Sequence, residues 1–125
     1  MNIGGKLRSR SAMARRPLIV GLIAAALLFG VSAVVYTRSM TKAKEAALRT
    51  NLHFLNEAMS QYHADRARYP ATLEALVQER YLHAVPKDPF TGSTATWRTV
   101  SEPGVVKVRS GSNQRASDGS RYADW

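Results

Sequence analysis

The sequence predicts an α+β fold in which one long N-terminal helix packs against a short helix and a small antiparallel β-sheet. Three observations favour this class. Residues 17–36 form an uncharged apolar run, residues 37–65 continue with a helical pattern, and β-branched residues concentrate after Gly92. Helix-forming sequence followed by strand-forming sequence is typical of α+β proteins, because each element buries its apolar face against the other kind.

Composition limits what the chain can be. It has 125 residues and no cysteine, so neither a disulfide nor a thiolate metal site is available. Once a basic head and an apolar span are set aside, roughly ninety residues remain, enough for one small domain with a marginal core. The net charge is +9, from 18 basic and 9 acidic residues.

Residues 1–16 form a basic head that we interpret as a flexible cytoplasmic tail. The head contains five basic residues and no acid, the basic residues being Lys6, Arg8, Arg10, Arg15 and Arg16. Cytoplasmic flanks of membrane spans carry an excess of Lys and Arg. We therefore expect the N-terminus to be cytoplasmic and the C-terminal domain to be extracytoplasmic.

Residues 17–36 are predicted to form a transmembrane helix that opens at Pro17. A helix of about 20 apolar residues crosses the hydrocarbon core of a bilayer. Three alternatives stay open: a buried core helix, a signal peptide cleaved after Ala33 so that the mature chain starts at Val34, and a twin-arginine signal at Arg15-Arg16.

Residues 37–65 are predicted to extend the same helix with one apolar stripe. This segment has no glycine or proline, and its apolar residues step by four and three positions, which matches the helical period. The predicted stripe consists of Leu48, Leu52, Leu55, Met59 and Tyr62. We expect it to pack on Leu73 and Leu76 and on the downstream strands.

The remaining elements of the extracytoplasmic domain, residues 37–125, follow from propensity and turn signals. A short helix is predicted at 71–80, with Thr72 as its cap. Residues 94–109 read as a β-hairpin, with strands at 94–100 and 105–109 and a turn between them. Residues 110–125 read as a polar, glycine- and serine-rich loop that ends in a short strand at 121–125.

The order of these motifs resembles a known family. A span continuous with an amphipathic helix is followed by Tyr69-Pro70, Leu73 to Val77, Tyr81-Leu82, Pro86 to Pro89 and Trp97. This order resembles the major pseudopilin of bacterial type II secretion systems and its type IV pilin-like relatives. The resemblance implies a pilin-like fold and a single-pass location in the bacterial inner membrane. It also implies filament assembly with identical or pilin-like subunits, driven from an inner-membrane secretion platform to export proteins.

The family's processing signature is missing at the expected place. Relatives carry Gly-Phe-Thr-Leu-Ile-Glu between the basic head and the apolar helix, and a peptidase cuts after the Gly. An ungapped count from Tyr69-Pro70 places the cut at Met13-Ala14 and the Glu position at Leu18. The alternative function is therefore a non-polymerising single-pass membrane protein with a pilin-like head, which binds DNA or partner subunits.

The resemblance also implies a calcium candidate in the C-terminal loop, where oxygen ligands occur at Asn113, Asp118 and Asp124. Ca²⁺ takes six to eight oxygen ligands, and only two carboxylates are present here. A solvated loop with an Asp118-Gly119 turn is the competing interpretation.

Other chemistry finds little support in the sequence. His53, His63 and His83 are too far apart in the pattern to share a metal ion, and no nucleophile turn or phosphate-binding glycine loop appears. We expect no enzymatic activity. A DNA-binding patch near Trp97 and Tyr122 is a further hypothesis, weighed against an ordinary mixed surface charge; its basic residues are Arg98, Lys107, Arg109, Arg115 and Arg121.

Overall fold

A computed structural model describes residues 3–125, with side chains from Arg15 onward. It confirms the α+β class, with one long helix, one short helix and a two-stranded antiparallel sheet. In chain order the elements are α1 (Ile3–Arg66), α2 (Leu73–Gln78), β1 (Arg98–Glu102), β2 (Val105–Arg109) and a 3₁₀ turn (Tyr122–Asp124). The chain divides into two compact units, the first ending at Ser39 and the second being Met40–Trp125.

In the first unit, α1 begins earlier than the sequence predicts. The helix starts at Ile3 and contains Pro17 in its interior, so Pro17 does not open it, and residues 3–16 are helical rather than an irregular tail. Alanine, arginine, leucine and methionine dominate the stretch before Pro17, and these residues have high helix propensity. Their propensity outweighs the one backbone hydrogen bond that a proline removes.

In the second unit, the C-terminal part of α1 buries one face. Its five stripe residues have between 0% and 7% of their surface exposed, and they are Leu48, Leu52, Leu55, Met59 and Tyr62. Leu76 of α2 and Val108 of β2 are equally buried and close the core, while Leu73 is half-buried at its edge. The helix–sheet packing expected from the stripe is therefore present.

Helix α1 ends at Arg66, because the next residue, Ala67, adopts a left-handed φ of 57°; its N–H still donates to the carbonyl oxygen of His63 at 2.8 Å. Helix α2 is shorter than the predicted 71–80. Thr72 caps it by accepting a hydrogen bond from Ala75 N–H at 3.3 Å. Arg80 takes a left-handed φ of 64°, which ends the helical path after Gln78.

The hairpin forms around Pro103-Gly104, with Glu102 opposite Val105 and Arg98 opposite Arg109. Strand β1 covers Arg98–Glu102, so the predicted strand at 94–100 is wrong at both ends. The physical reason lies in Trp97, which is buried and whose indole N–H donates to the carbonyl oxygen of Pro86 at 2.7 Å. That contact anchors the chain to the preceding loop before it can join the sheet.

The C-terminal segment also differs from expectation. The predicted strand at 121–125 is a 3₁₀ turn, closed by the Trp125 N–H bond to the Tyr122 carbonyl oxygen at 3.0 Å. The preceding loop is not simply solvated, because Ser110, Ser112 and Ala116 are buried. One isolated antiparallel bridge pairs Arg115 with Arg121, and elsewhere in the segment serine and aspartate side chains bond nearby backbone groups.

Candidate functional site

The apolar half of α1 in the first unit exposes every large side chain. Exposure of the large residues from Leu18 to Tyr36 ranges from 50% to 79%, with Phe29 highest. Its one internal hydroxyl is satisfied, because Ser32 Oγ donates to the Leu28 carbonyl oxygen at 2.8 Å. This helix is long and apolar enough to cross a membrane.

The most strongly built polar site in the second unit surrounds Glu45 of α1. Its side chain is only 5% exposed, and both carboxylate oxygens accept hydrogen bonds. Oε1 accepts from Ser117 N–H at 2.8 Å and from the Tyr122 hydroxyl at 2.9 Å, while Oε2 accepts from Ser117 Oγ at 2.9 Å. The three donors come from the C-terminal segment, so Glu45 fixes that segment to the helix.

These contacts shift the acidity of both partners. The backbone N–H of Ser117 lowers the pKa of Glu45 and outweighs the opposing effect of burial, with the Tyr122 and Ser117 hydroxyls adding to the lowering. Burial raises the pKa of Tyr122 to about 12, and its bond to Glu45 adds to the rise. A carboxylate and a neutral phenol are therefore the stable pair over the physiological range.

A second buried carboxylate, Asp88, holds the same segment from the other side. Asp88 is fully buried, and its Oδ2 accepts from Ser110 Oγ at 2.5 Å while its Oδ1 accepts from Phe90 N–H at 2.9 Å. The Phe90 ring in turn stacks on Tyr122, with ring centroids 3.8 Å apart. The Pro86–Pro89 motif thus places one carboxylate where it locks the C-terminal segment.

Close backbone packing completes this arrangement at Gly111. A Cβ at this position would lie 2.0 Å from the carbonyl oxygen of Thr96, far inside contact distance. Only glycine lets the segment pass this close. We call Glu45, Asp88, Ser110, Gly111 and Ser117, together with Tyr122, the C-terminal clamp.

Sequence reasoning missed the carboxylates of the C-terminal clamp. A signal was present for Glu45, which lies three residues before Leu48 and so falls in register with the buried stripe. An acid in that register predicts a buried carboxylate that needs partners. The residues around Asp88 predict only a turn. Its bond to Ser110 leaves no local pattern, because the two residues are 22 positions apart in sequence.

The three calcium candidates are not brought together with free oxygens. Asp118 Oδ1 accepts from Ser120 N–H at 2.9 Å and from its hydroxyl, which lowers the pKa of Asp118. The Asp124 carboxylate pairs with Arg121 at 3.2 Å, and Asn113 is exposed beside it. Among residues 15–125, no cluster of three or more acidic or histidine side chains is arranged to hold a metal ion.

The aromatic and the basic residues named for DNA binding lie in different environments. Trp97 and Tyr122 are 9% and 1% exposed, so neither offers a ring face for base stacking. Both rings belong to the core, and DNA binding by the basic residues near them stays a prediction. The basic residues Arg98, Arg109 and Arg121 do converge, and they line one concavity.

The predicted processing junction falls at Met13-Ala14. The side chains of Met13 and Ala14 lie outside the described part of the chain. Leu18, which stands at the family's Glu position, is 67% exposed in α1.

No protein-family model, curated protein or solved structure matches the chain. Its possible roles are therefore defined by its own residues. These residues provide an exposed apolar helix, a second unit held together by two buried carboxylates, and a concavity lined by arginines.

Proposed function

We propose that the chain is a membrane-anchored, pilin-like structural subunit of a type II secretion or type IV pilus-like system, contributing to protein export by filament assembly. One observation carries the proposal. The large side chains of the apolar part of α1 are at least half exposed, whereas the stripe on the C-terminal part of the same helix is buried. Such a helix needs an apolar environment for its first part that a single chain does not supply.

Lipid and a bundle of identical helices both provide that environment. Each square ångström of apolar surface removed from water contributes about 25 cal/mol, so the exposed side chains from Leu18 to Val35 strongly favour one or the other. Because hydrocarbon and a helix bundle are similarly apolar, moving between them loses little burial. A subunit of this kind can leave the bilayer for a filament core when a motor supplies work.

The C-terminal clamp supports a structural role for the second unit. Glu45 and Asp88 fix the C-terminal segment without any disulfide, in a chain that has no cysteine. A small domain with a marginal core gains rigidity from such satisfied buried networks. A rigid head suits repeated packing of identical subunits.

The second candidate function is a non-polymerising, single-pass membrane protein with the same head. Leu18 favours it, because the family's Glu at this position is thought to pair with a neighbouring subunit's terminal amine during assembly. Without that carboxylate, the apolar helix has no charged group to set its register against a neighbour. The two candidates share the anchor and differ in whether copies associate through it.

Membrane topology is tested by single-cysteine labelling, since the chain has no cysteine of its own. Ser9→Cys reports the basic head, and Ala95→Cys reports an exposed site in the second unit. In intact spheroplasts, a membrane-impermeant maleimide is expected to label the residue-95 variant and to spare the residue-9 variant until the membrane is permeabilised. The reverse pattern, or recovery of the chain in the soluble fraction, contradicts the anchor.

Assembly is tested with the double variant Gly21→Cys/Gly30→Cys. A Cβ at either glycine meets nothing within 4 Å, so the substitutions leave the helix undisturbed. Oxidation in native membranes is expected to give a ladder of dimers and larger species, because helices in a filament core contact neighbours on two sides. Ala95→Cys is the matched control. A monomer alone supports the non-polymerising candidate and refutes filament assembly.

A further inference from the structure

The outer face of the β-hairpin carries more positive charge than the structure neutralises. Arg98 and Arg109 lie directly opposite each other across the two strands, and Lys107 follows on the same face. Like charges placed opposite in an antiparallel pair are destabilising. The repulsion between Arg98 and Arg109 therefore destabilises the hairpin unless an anion offsets it.

Glu102 supplies that anion for two of the three cations. Its Oε1 accepts from Arg109 Nη2 at 2.5 Å, and its Oε2 lies 3.5 Å from Lys107 Nζ. Arg98 receives nothing equivalent, because no hydrogen bond or ion pair within residues 15–125 involves its guanidinium. The hairpin therefore presents one arginine whose charge is uncompensated.

Arg121 joins the two hairpin arginines from the C-terminal segment. Arg98, Arg109 and Arg121 line one concavity of about 350 Å³, with Asn113 and Asp124 at its wall. Asp124 acts as an internal anion there: its carboxylate lies 3.2 Å from Arg121 Nε, and its backbone carbonyl oxygen accepts from Arg109 Nη1 at 3.0 Å. Glu102 and Asp124 thus engage Arg109 and Arg121, and the guanidinium of Arg98 is left without a carboxylate.

One donor atom of Arg109, a residue that lines this concavity, lacks an acceptor. Arg109 Nε is buried and has no partner within the described side chains. Buried polar groups are normally paired, so an unpaired one indicates an incomplete network.

We propose that this concavity, which we call the arginine pocket, binds a phosphate group. Guanidinium groups donate in fork geometry and recognise the oxygens of phosphate with paired, charge-assisted bonds. Glu102 pairs with Arg109 and Asp124 pairs with Arg121, so Arg98 leaves a surplus of one positive charge for the phosphate. The Asn113 side-chain amide at the wall adds one neutral donor group.

A small phosphate fits the arginine pocket better than nucleic acid does. Single-stranded nucleic acid needs aromatic faces along a groove, and both nearby aromatics, Trp97 and Tyr122, are buried. The pocket is one local concavity built by three elements, so it holds one group rather than following a backbone. The phosphate is that of a free small anion or of a lipid headgroup.

The test is calorimetric titration of inorganic phosphate into the full chain in a phosphate-free, non-ionic detergent, at constant ionic strength set with chloride. One saturable site is expected. Arg98→Gln should weaken binding roughly tenfold or more, since it removes charge-assisted hydrogen bonds. Arg68→Gln, which changes an exposed arginine outside the pocket, is the matched control and should bind normally.

A second variant tests the role of the internal anion. Asp124→Asn removes the carboxylate that engages Arg121, so phosphate binding should tighten severalfold. Equal affinity in the wild type, Arg98→Gln and Asp124→Asn would overturn the proposal, as would heat signals that follow ionic strength alone.

Two soluble probes distinguish the phosphate sources. Tighter binding of inorganic phosphate than of glycerophosphoglycerol indicates that the ligand is a free anion. Tighter binding of glycerophosphoglycerol, a phosphate diester, indicates a lipid headgroup. Either preference supports the arginine pocket if Arg98→Gln abolishes it. Binding of a DNA duplex with a steep salt dependence but no saturable binding of either small probe would overturn it.

Discussion

Replacing Glu45 by glutamine is the sharpest perturbation of the C-terminal clamp. The change keeps the shape of the side chain, removes its charge and puts an amide donor where a carboxylate oxygen accepts. In the wild type the carboxylate accepts three hydrogen bonds, at 2.8, 2.9 and 2.9 Å, from Ser117 and Tyr122. A glutamine oxygen at the Oε1 position keeps the bonds from Ser117 N–H and Tyr122 as neutral ones, and the glutamine amide can only donate to Ser117 Oγ, which reverses the third bond.

The magnitude follows from these contacts. A hydrogen bond to a charged group contributes about 1.5–3 kcal/mol net, against about 1 kcal/mol for a bond between neutral groups, so each of the three bonds is weakened. We expect Glu45→Gln to lower the free energy of unfolding of the second unit by about 2–3 kcal/mol. For a domain of this size that corresponds to a fall in Tm of roughly 10–20 °C.

The assay is thermal unfolding of the full chain in non-ionic detergent, followed by near-ultraviolet circular dichroism. The two tryptophans, one in the core and one at the C-terminal end, report on the second unit. Glu74→Gln is the matched control, because Glu74 is exposed and makes no ion pair within residues 15–125. Its effect should stay within about 0.5 kcal/mol.

The pH dependence gives an independent check of the same carboxylate. Because the pKa of Glu45 is lowered in the folded state, its contribution is present above its ordinary value of 4.5 and is lost as the pH falls through the folded pKa. As the pH falls below about 5, the wild type should therefore lose more stability than Glu45→Gln. The extra loss should roughly equal the difference in free energy of unfolding between the two proteins at neutral pH. If Glu45→Gln and Glu74→Gln have the same Tm at neutral pH, the clamp reasoning is refuted.

Three further predictions test the packing and the phenol. Leu55→Asp places an unpaired charge at a fully buried site and should unfold the second unit, whereas Phe54→Asp, at a neighbouring residue that is 55% exposed, should leave its Tm nearly unchanged. Gly111→Ala should lower the free energy of unfolding, measured with denaturant, by about 1–3 kcal/mol, because the new Cβ would lie 2.0 Å from a backbone oxygen. Gly30→Ala should leave that free energy unchanged, and equal effects of the two substitutions would disprove the close packing at Gly111. The pKa of Tyr122 rises to about 12 on folding, so the contribution of its neutral phenol to stability is complete below the ordinary value of 10.0 and is lost as the pH rises toward 12. Tyr122→Phe should remove that alkaline loss of stability in a profile of unfolding free energy against pH.

The sequence predicted the parts of the fold that local periodicity determines. The stripe from Leu48 to Tyr62 follows the helical period, and burial of one face is what that period means physically. Thr72 was readable as a helix cap because its side chain bonds a backbone N–H within the same turn. Both signals depend on residues close together in the chain.

The parts that were misjudged depend on distant contacts. Trp97 reads as a strand residue, but its bond to Pro86 keeps it outside β1. The C-terminal segment reads as a polar loop and a strand, yet Glu45 is 72 residues before Ser117 and fixes the segment by side-chain bonds. The convergence of Arg98 and Arg121 likewise results from tertiary packing and leaves no local pattern.

The measurement that tests the central proposal most directly is intact-mass and N-terminal analysis of the protein purified from native membranes. We expect a chain that keeps residues 17–36: either the full 13.8 kDa chain starting at Met1, or a shorter chain starting near Ala14. A start near Ala14 with a methylated amine would favour the filament subunit, and a start at Met1 the non-polymerising anchor. A mature chain that begins at Val34 would contradict the membrane anchor, since the apolar helix would then be a removed signal.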